Sequence, residues 1–389
     1  MKILHYIGTF SHLVETFVYD LITNLNCTNS VEQFVLCHER INERSRPFPS
    51  LQVVPFDCTL LGRIKRRVSG QRFTGKQITQ IAAVLETEKP DLIHAHFGIN
   101  GVYAMDFLNR LRSNIPLLVH CHGTDVLSFP YTNLEYKEKL LALSERPNTK
   151  FIANTHFLEE AMVSIGIPKK GISIVRNSVN PALFMLKEDS GWVTPALAND
   201  PLRIIAVGRM IRWKGQRYLL EGLASFLQNY PGKATLTLIG EGDEREPLED
   251  LCRNLGLENA VNFRGALKHA EVAQALQQHD LLIQPSIVDP ETRQCESFGM
   301  TILEAIASGL PVAVSRSGGM PELVGLENSW SRIFEPASSQ AIADVIEACY
   351  IKKPHLSSNA DYAKQRLNFF SWENQEASLI KAYRSVRTV

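Results

Sequence analysis

Two carboxylates eight residues apart, Glu296 and Glu304, are the first candidates for chemistry in this chain. The stretch from Glu296 and the apolar run that follows it are typical of a short helix that leads into a buried strand at 312–315. A helix rises about 1.5 Å per residue, so we expect the two carboxylates along one side of this helix, roughly 12 Å apart. They could contact the two ends of an elongated polar ligand, or they could be solvated surface carboxylates.

Arg209 and Lys214 are the second candidate group. A predicted strand over 202–207 ends just before Arg209, and a predicted helix over 216–229 begins just after Lys214. Because a helix N-terminus attracts anions, two fixed cations beside it could hold a diphosphate without a metal. The alternative is a pair of exposed loop cations. Gly240 follows the next strand and would allow a nucleotide to approach closely, although the incomplete glycine pattern there excludes a dinucleotide fingerprint.

Four histidines occupy the ends of two predicted strands, namely His94, His96, His120 and His122. Strand alternation places the two histidines of each strand on one face. No Asp or Glu stands beside them at metal-ligand spacing, so we predict no metal there. His122 is the best functional candidate, because it lies at the carboxyl end of a strand and Gly123 leaves access to it. The others are expected to pack inside the sheet.

The loop after the first strand contains Gly8, Ser11 and Glu15. Ser11 and Glu15 are near, but not at, the spacing of a capping box. Glu15 therefore either caps the following helix or faces a ligand cleft.

The elements that position these residues alternate between strands and helices along the whole chain, which indicates an α/β fold with parallel sheets. A polar segment at 186–201 predicts a linker between an N-terminal domain (1–185) and a C-terminal domain (202–370). A last helix follows at 371–389, with Ser371 as a candidate N-cap. Open sheets bind ligands at the carboxyl ends of their strands, so we expect the candidate residues to face a cleft.

Composition excludes several functional classes. The chain has 389 residues, 44% of them hydrophobic, and equal numbers (41) of basic and acidic side chains, so no overall charge favours nucleic acid. The seven cysteines form no Cys-x-x-Cys pair, and no apolar run is long enough to span a bilayer. These features predict a cytoplasmic protein. Residues 63–76 carry basic side chains without acidic ones. They could contact an anionic membrane surface, or they could form a solvated loop or helix face.

The motifs together resemble the retaining glycosyltransferases of family 4, which have the GT-B fold of two Rossmann-like domains. The resemblance covers essentially the whole chain and is strongest in its second half. The motifs that carry it are Glu296-x7-Glu304, Gly309-Leu310-Pro311, Gly208-Arg209, Lys214-Gly215, Gly240-Glu241-Gly242, the run 261–265 around Arg264, 319–322, His122-Gly123-Thr124-Asp125 and Ser371-Trp372. Residues 10–17 look like members that build bacterial exopolysaccharides such as colanic acid.

This resemblance implies a role for each candidate. Arg209 and Lys214 would hold the donor diphosphate, and Glu304 would bind the ribose hydroxyls. Glu296 and His122 would lie beside the transferred sugar. Further donor contacts would come from Gly240, Arg264, Ser297, Phe298 and Gly299, and the acceptor side would include Gly8, Ser11, Glu15, His96 and Asp125.

The expected function is therefore transfer of a sugar from a nucleoside diphosphate sugar to a saccharide or lipid-linked saccharide. UDP-sugars are favoured over GDP-sugars, and neither a metal nor another cofactor is expected. Two alternatives stay open at this point. One is a sugar-nucleotide epimerase with a GT-B-like fold, and the other is a regulator that binds a sugar nucleotide without turning it over.

Overall fold

A computed structural model describes residues 1–11, 16–28, 31–56, 72–179, 181–184, 200–327, 331–352 and 360–387. The chain forms two units. The first comprises Met1–Asn154, Leu158–Arg176 and Gln375–Val389, and the second comprises Thr155–Phe157 and Asn177–Asn374. The predicted linker at 186–201 lies almost entirely outside the described residues, and the predicted domain limits stay predictions.

The first unit is built on a parallel seven-stranded sheet of order β3-β2-β1-β4-β5-β6-β7. Its strands are β1 (Lys2–Phe10), β2 (Glu32–Arg40), β3 (Leu51–Val53), β4 (Leu92–His96), β5 (Leu117–His120), β6 (Thr149–Ala153) and β7 (Ile172–Ile174). The helices of this part of the chain are α1 (Thr16–Thr28), α2 (Gly75–Glu88), α3 (Gly98–Arg110), α4 (Thr124–Leu127), α5 (Phe129–Thr132), α6 (Leu134–Glu145) and α7 (His156–Ser164).

The second unit contains a parallel six-stranded sheet of order β10-β9-β8-β11-β12-β13. Its strands are β8 (Leu202–Val207), β9 (Ala234–Ile239), β10 (Val261–Gly265), β11 (Leu281–Gln284), β12 (Val312–Ser315) and β13 (Ser331–Phe334). Its helices are α8 (Pro181–Phe184), α9 (Gln216–Asn229), α10 (Arg245–Asn254), α11 (His269–Gln277), α12 (Met300–Ala307), α13 (Met320–Val324), α14 (Ser339–Ile351) and α15 (Ala360–Phe369).

The apolar side chains of the second sheet alternate between two hydrophobic cores. Leu282 and Val314 pack in one cluster, whereas Leu281, Ile283 and Ala313 pack in the other. Successive residues of a strand point to opposite faces, so both faces of this sheet are covered. The predicted doubly wound α/β fold is confirmed.

The last helix, α16 (Trp372–Arg387), begins at the predicted cap, because the backbone N–H of Asn374 donates to Ser371 Oγ at 3.3 Å. From Gln375 onward this helix belongs to the first unit, and the Tyr383 hydroxyl lies 2.9 Å from His94 Nδ1. Within the described residues, no helix is both long and apolar enough to cross a bilayer.

Candidate functional site

The two candidate cations follow β8 at the point where the strand order of the second sheet reverses. β8 lies beside β11, and the chain winds away in opposite directions from these two strands. Ligands of open α/β sheets bind at this switch point, outside the carboxyl ends of the strands. A short 3₁₀ turn at Arg212–Lys214 connects β8 to α9, and the Trp213 carbonyl accepts from the backbone N–H of Ile287 at 2.7 Å. The turn is thereby fixed to the segment that follows β11.

Lys214 forms an ion pair with Glu296. Both side chains are largely buried, with 13% and 16% of their surface exposed, and Lys214 Nζ also lies 4.7 Å from the centroid of the Trp213 ring. Arg209 is exposed and forms no ion pair with a carboxylate of the described residues. One cation of the predicted pair is thus already matched by a carboxylate, and the other faces solvent.

The prediction that Glu296 and Glu304 lie along one helix is wrong. Helix α12 begins only at Met300, and Gly299 before it has a left-handed backbone (φ 102°) that interrupts the run. Glu296 instead lies in a loop, and its backbone carbonyl accepts from the Gly319 backbone N–H at 2.8 Å. Only Glu304 is helical. Because the helix begins after Glu296, this residue lies in the loop, and from there its side chain forms the ion pair with Lys214.

Glycines of the next loop make room for the backbone around Glu296. A Cβ at Gly318 would lie 1.9 Å from the Glu296 carbonyl oxygen, and one at Gly319 would lie 2.1 Å from that of Ser297. Such distances are far below van der Waals contact, so only glycine fits at both positions. Gly318 and Gly319 therefore shape the loop that carries Glu296.

Glu304 is almost fully buried, with 7% of its side chain exposed, and its Oε1 lies 2.8 Å from His269 Nε2. His269 is the first residue of α11, and its ring meets the Phe184 ring edge-on at 5.0 Å. Sequence reasoning missed His269. The signal that could have found it is its place at a helix start soon after β10, on the same sheet edge as the other candidates.

The remaining donor-side candidates lie on the same sheet edge or next to Glu296. Gly240 follows β9 with a φ of 141°, and a Cβ there would meet the Gly208 carbonyl at 2.0 Å. Arg264 is exposed near the end of β10. Ser297 is buried and its carbonyl accepts from Thr155 Oγ1 at 3.0 Å, whereas Phe298 packs in the core.

In the first unit, the loop that carries His122 is organised by Asp125. This buried carboxylate accepts from the backbone N–H groups of Gly98 at 2.7 Å, Gly123 at 2.8 Å and His122 at 3.2 Å. Burial raises the pKa of Asp125, and these backbone donors partly oppose that rise. Asp125 therefore fixes the turn that begins α4, and the ring of His122 packs beside Phe17, at a centroid distance of 4.8 Å.

His122, which is half-buried, lies beside four buried histidines, and together they form a histidine cluster made of His5, His94, His96, His120 and His122. Parallel register places His5 beside His94 and His96 beside His120, so residues of three adjacent strands share one face. His5 Nδ1 and His96 Nε2 lie 3.0 Å apart. Burial lowers the pKa of His5 and of His120 to about 3, and lowers that of the other three well below the ordinary value.

Two trios of this cluster bring ring nitrogens within 4.8 Å of one another, His5–His94–His96 and His96–His120–His122. Each trio contains a stacked pair, His94–His96 in β4 with centroids 4.3 Å apart, and His120–His122 at and just after the end of β5 with centroids 4.2 Å apart. The ring nitrogens of each trio are thus close enough to one another to share a metal ion. The expectation that no metal binds here stays a prediction.

The acceptor-side candidates near the end of β1 are partly described. Ser11 is buried with a positive φ of 70°, and its hydroxyl accepts from Arg40 at 2.7 Å. The expectation that Gly8 lies in the loop after the first strand is wrong, because β1 extends to Phe10; a Cβ at Gly8 would lie 3.5 Å from Asn100 Oδ1. Glu15 and residues 63–71 of the basic stretch lie outside the described residues.

Family models match both halves of the chain. The model described as "Glycosyl transferases group 1" matches residues 194–366, and that described as "Glycosyltransferase Family 4" matches residues 14–183. These ranges cover the candidate donor residues in the second unit and His122 in the first.

Relatives and solved structures agree with these matches. An uncharacterised glycosyltransferase of Methanocaldococcus jannaschii is 25% identical over 326 residues, 80% of each chain. The amylovoran biosynthesis glycosyltransferase AmsK of Erwinia amylovora is 28% identical over 273 residues, which span 68% of this chain and 63% of that protein. The crystal structure of Anabaena HepE in complex with UDP superposes with a TM-score of 0.77 at 22% identity, over 99% of this chain and all of that one.

The two parallel α/β units and the structural neighbours show the GT-B fold, and the family models and relatives identify the chain as a glycosyltransferase. The fold class expected from the resemblance is confirmed. The chain belongs to glycosyltransferase family 4.

Proposed function

We propose that this enzyme transfers a sugar from a UDP-sugar to a saccharide or lipid-linked saccharide, with retention of anomeric configuration, during exopolysaccharide or glycoconjugate synthesis. The observation that carries the proposal is the ion pair between Lys214 and Glu296, which joins the segments that follow β8 and β11, the two strands at the switch point. Structural neighbours solved with UDP and with UDP-glucose support the choice of donor, and the resemblance to an amylovoran glycosyltransferase supports the kind of product.

The cations supply the chemistry of the leaving group. Arg209 and Lys214 would contact the donor diphosphate and stabilise the negative charge that grows on it as the sugar departs. Since Arg209 has no carboxylate partner among the described residues, it can bind phosphate without breaking an existing ion pair. Lys214 is held by Glu296 and by the Trp213 ring, so its position is set before the donor arrives.

The two carboxylates would contact the other two parts of the donor, the ribose and the transferred sugar. Glu304, buried on α12, would accept hydrogen bonds from the ribose hydroxyls, and Glu296 would lie beside the sugar near the carbon that is transferred. Neither acts as a nucleophile in this proposal. The acceptor hydroxyl attacks from the face that the diphosphate leaves, and the departing phosphate oxygen takes the acceptor proton.

The first unit would contribute His122 and the acceptor side. The loop fixed by Asp125 holds His122 against two aromatic rings, which supports a fixed position for this imidazole. The acceptor-side candidates Gly8, Ser11, Glu15 and His96 are carried into the proposal from the sequence resemblance.

Two further parts of the proposal rest on the sequence. Transfer would need no metal and no other cofactor, because two cations take the place that Mg²⁺ has in many enzymes that use nucleotide substrates. The basic residues at 63–76 would attract an anionic membrane surface, which would place the enzyme at the inner face of the cytoplasmic membrane, near lipid-linked acceptors.

The test is donor binding and turnover in two variants and one control. Lys214→Ala and Glu304→Ala should each weaken UDP binding about tenfold or more, which calorimetry measures directly. Arg217→Ala, which removes an exposed cation paired with Glu221 on α9, should leave it unchanged. Equal UDP affinity in all four proteins would show that the donor site is elsewhere.

Product analysis with labelled UDP-sugars and a lipid extract distinguishes the reaction. Transfer to a lipid or saccharide supports the proposal, and a product with inverted anomeric configuration would refute the retaining mechanism. A changed sugar on an intact nucleotide would identify an epimerase, and tight binding without turnover would identify a regulator.

A further inference from the structure

His269 is the side chain that contacts the buried carboxylate of Glu304. Its Nε2 lies 2.8 Å from Glu304 Oε1, a normal length for a charge-assisted hydrogen bond. An ionised carboxylate only accepts, so in this contact the imidazole donates through Nε2–H. The bond crosses between two helices, because His269 begins α11 and Glu304 lies within α12.

The orientation of His269 is itself fixed. Its ring meets the ring of Phe184, a residue with no exposed surface, edge-on at 5.0 Å. Such aromatic contacts prefer defined geometries, so the imidazole has little freedom to rotate away from Glu304. The histidine is thus held from one side by an aromatic ring and from the other by a carboxylate.

The contact with His269 matters for Glu304 because this carboxylate is buried. Glu304 exposes 7% of its side chain, whereas His269 exposes 35%. A carboxylate so far removed from water is costly unless hydrogen bonds satisfy it. Glu304 Oε2 forms no hydrogen bond with a protein group of the described residues. With Oε1 fixed by the histidine, the direction of Oε2 is fixed as well.

We propose that His269 is a positioning residue that aims Glu304 at the ribose of the donor and so makes the site select ribonucleotides over 2′-deoxyribonucleotides. This inference rests on the proposed donor site. A site built to hydrogen-bond a substrate hydroxyl discriminates strongly against an analogue without it, because the polar group of the site is then left unpaired. Discrimination of this kind requires the carboxylate to be held in one place before the ligand binds.

The experiment compares UDP with 2′-deoxy-UDP by calorimetry on the full chain. Wild-type protein should bind UDP at least about tenfold more tightly than 2′-deoxy-UDP. His269→Ala should lose most of that ratio, with UDP weakened about tenfold and 2′-deoxy-UDP hardly changed. His269→Gln keeps an N–H donor and should restore part of the ratio, and Glu304→Gln should remove it as His269→Ala does.

His279→Gln is the matched control. His279 follows the other end of α11 and bonds the Ala275 carbonyl at 2.6 Å and Thr237 Oγ1 at 2.9 Å. Loss of this histidine should weaken the packing of the same helix without changing the ratio of the two affinities. Thermal unfolding of each variant gives the accompanying change in stability.

The outcomes separate the inference from the proposed function. If His269→Ala weakens UDP and 2′-deoxy-UDP equally, or leaves both unchanged, His269 does not position Glu304 for ribose and the inference is overturned while the donor site stands. If wild-type protein binds neither UDP nor GDP, the donor site is wrong and the inference fails with it.

Discussion

Acid should unfold the first unit, because several of its histidines are buried as neutral imidazoles. The pKa of His5 and of His120 is lowered to about 3 and that of His38 to about 4, in each case mainly by burial. In the unfolded chain these groups titrate near 6.5. Above that pH neither state binds the proton and stability is fully present. Below it the unfolded state takes up protons that the folded state does not, so stability falls as the pH drops.

The size of the effect follows from these shifts. At pH 5 each of the three histidines lowers the free energy of unfolding by about 2 kcal/mol, and the three together by about 6 kcal/mol. His94, His96 and His122, whose pKa values are also well below the ordinary value, add to this loss. A typical domain is stable by roughly 5–15 kcal/mol, so we expect the first unit to unfold near pH 5.

The assay is urea unfolding at pH values between 7 and 4, followed by far-UV circular dichroism and by tryptophan fluorescence. The four tryptophans lie in sequence assigned to the second unit, so the first unit should appear as a loss of dichroism that tryptophan fluorescence does not follow. His120→Leu removes one titrating group and two buried ring nitrogens that bond no protein group of the described residues. Because the leucine leaves no such polar atoms buried, we expect the His120→Leu variant to be at least as stable as wild type at pH 7.

The slope of the free energy of unfolding against pH tests whether His120 is neutral in the folded protein. His120→Leu should reduce it by about 1 kcal/mol per pH unit between pH 6 and 4. Phe107→Leu, a core change in the same unit, should lower stability by a similar amount at every pH and leave the slope unchanged. An unchanged slope in His120→Leu would refute the reasoning that this imidazole stays neutral in the folded state.

Two other predictions concern the donor site. Gly318→Ala should destabilise the second unit by about 2–4 kcal/mol in urea unfolding and weaken UDP binding, because its Cβ would strike the Glu296 carbonyl. Gly232 has a similar positive φ but open space around it, so Gly232→Ala should lower stability by only about 1 kcal/mol and leave UDP affinity intact. Equal effects of the two substitutions would contradict the steric argument. Sugar transfer should be unchanged by EDTA, and activity that EDTA abolishes and Mg²⁺ restores would overturn the proposal that two cations replace a metal.

Much of the fold could be predicted from the sequence, because its signals are local. The apolar runs at 202–207 and 312–315 are strands in the structure, as predicted. Ser371 caps α16 as predicted, since a cap depends on residues three positions apart. The residue motifs likewise sufficed to recognise the family, because they occur at strand ends, where a parallel sheet collects its ligand groups.

Tertiary structure decided the contacts between distant segments. Lys214 and Glu296 are separated by 82 residues, and periodicity placed Glu296 on a helix that in fact begins after Gly299. The contact between His269 and Glu304 was not visible in the sequence either, because it requires two helices to pack at a particular distance. Residue types and spacing therefore determined which groups reach the sheet edge. Only the packing of loops around glycines such as Gly318 determined which of those groups touch.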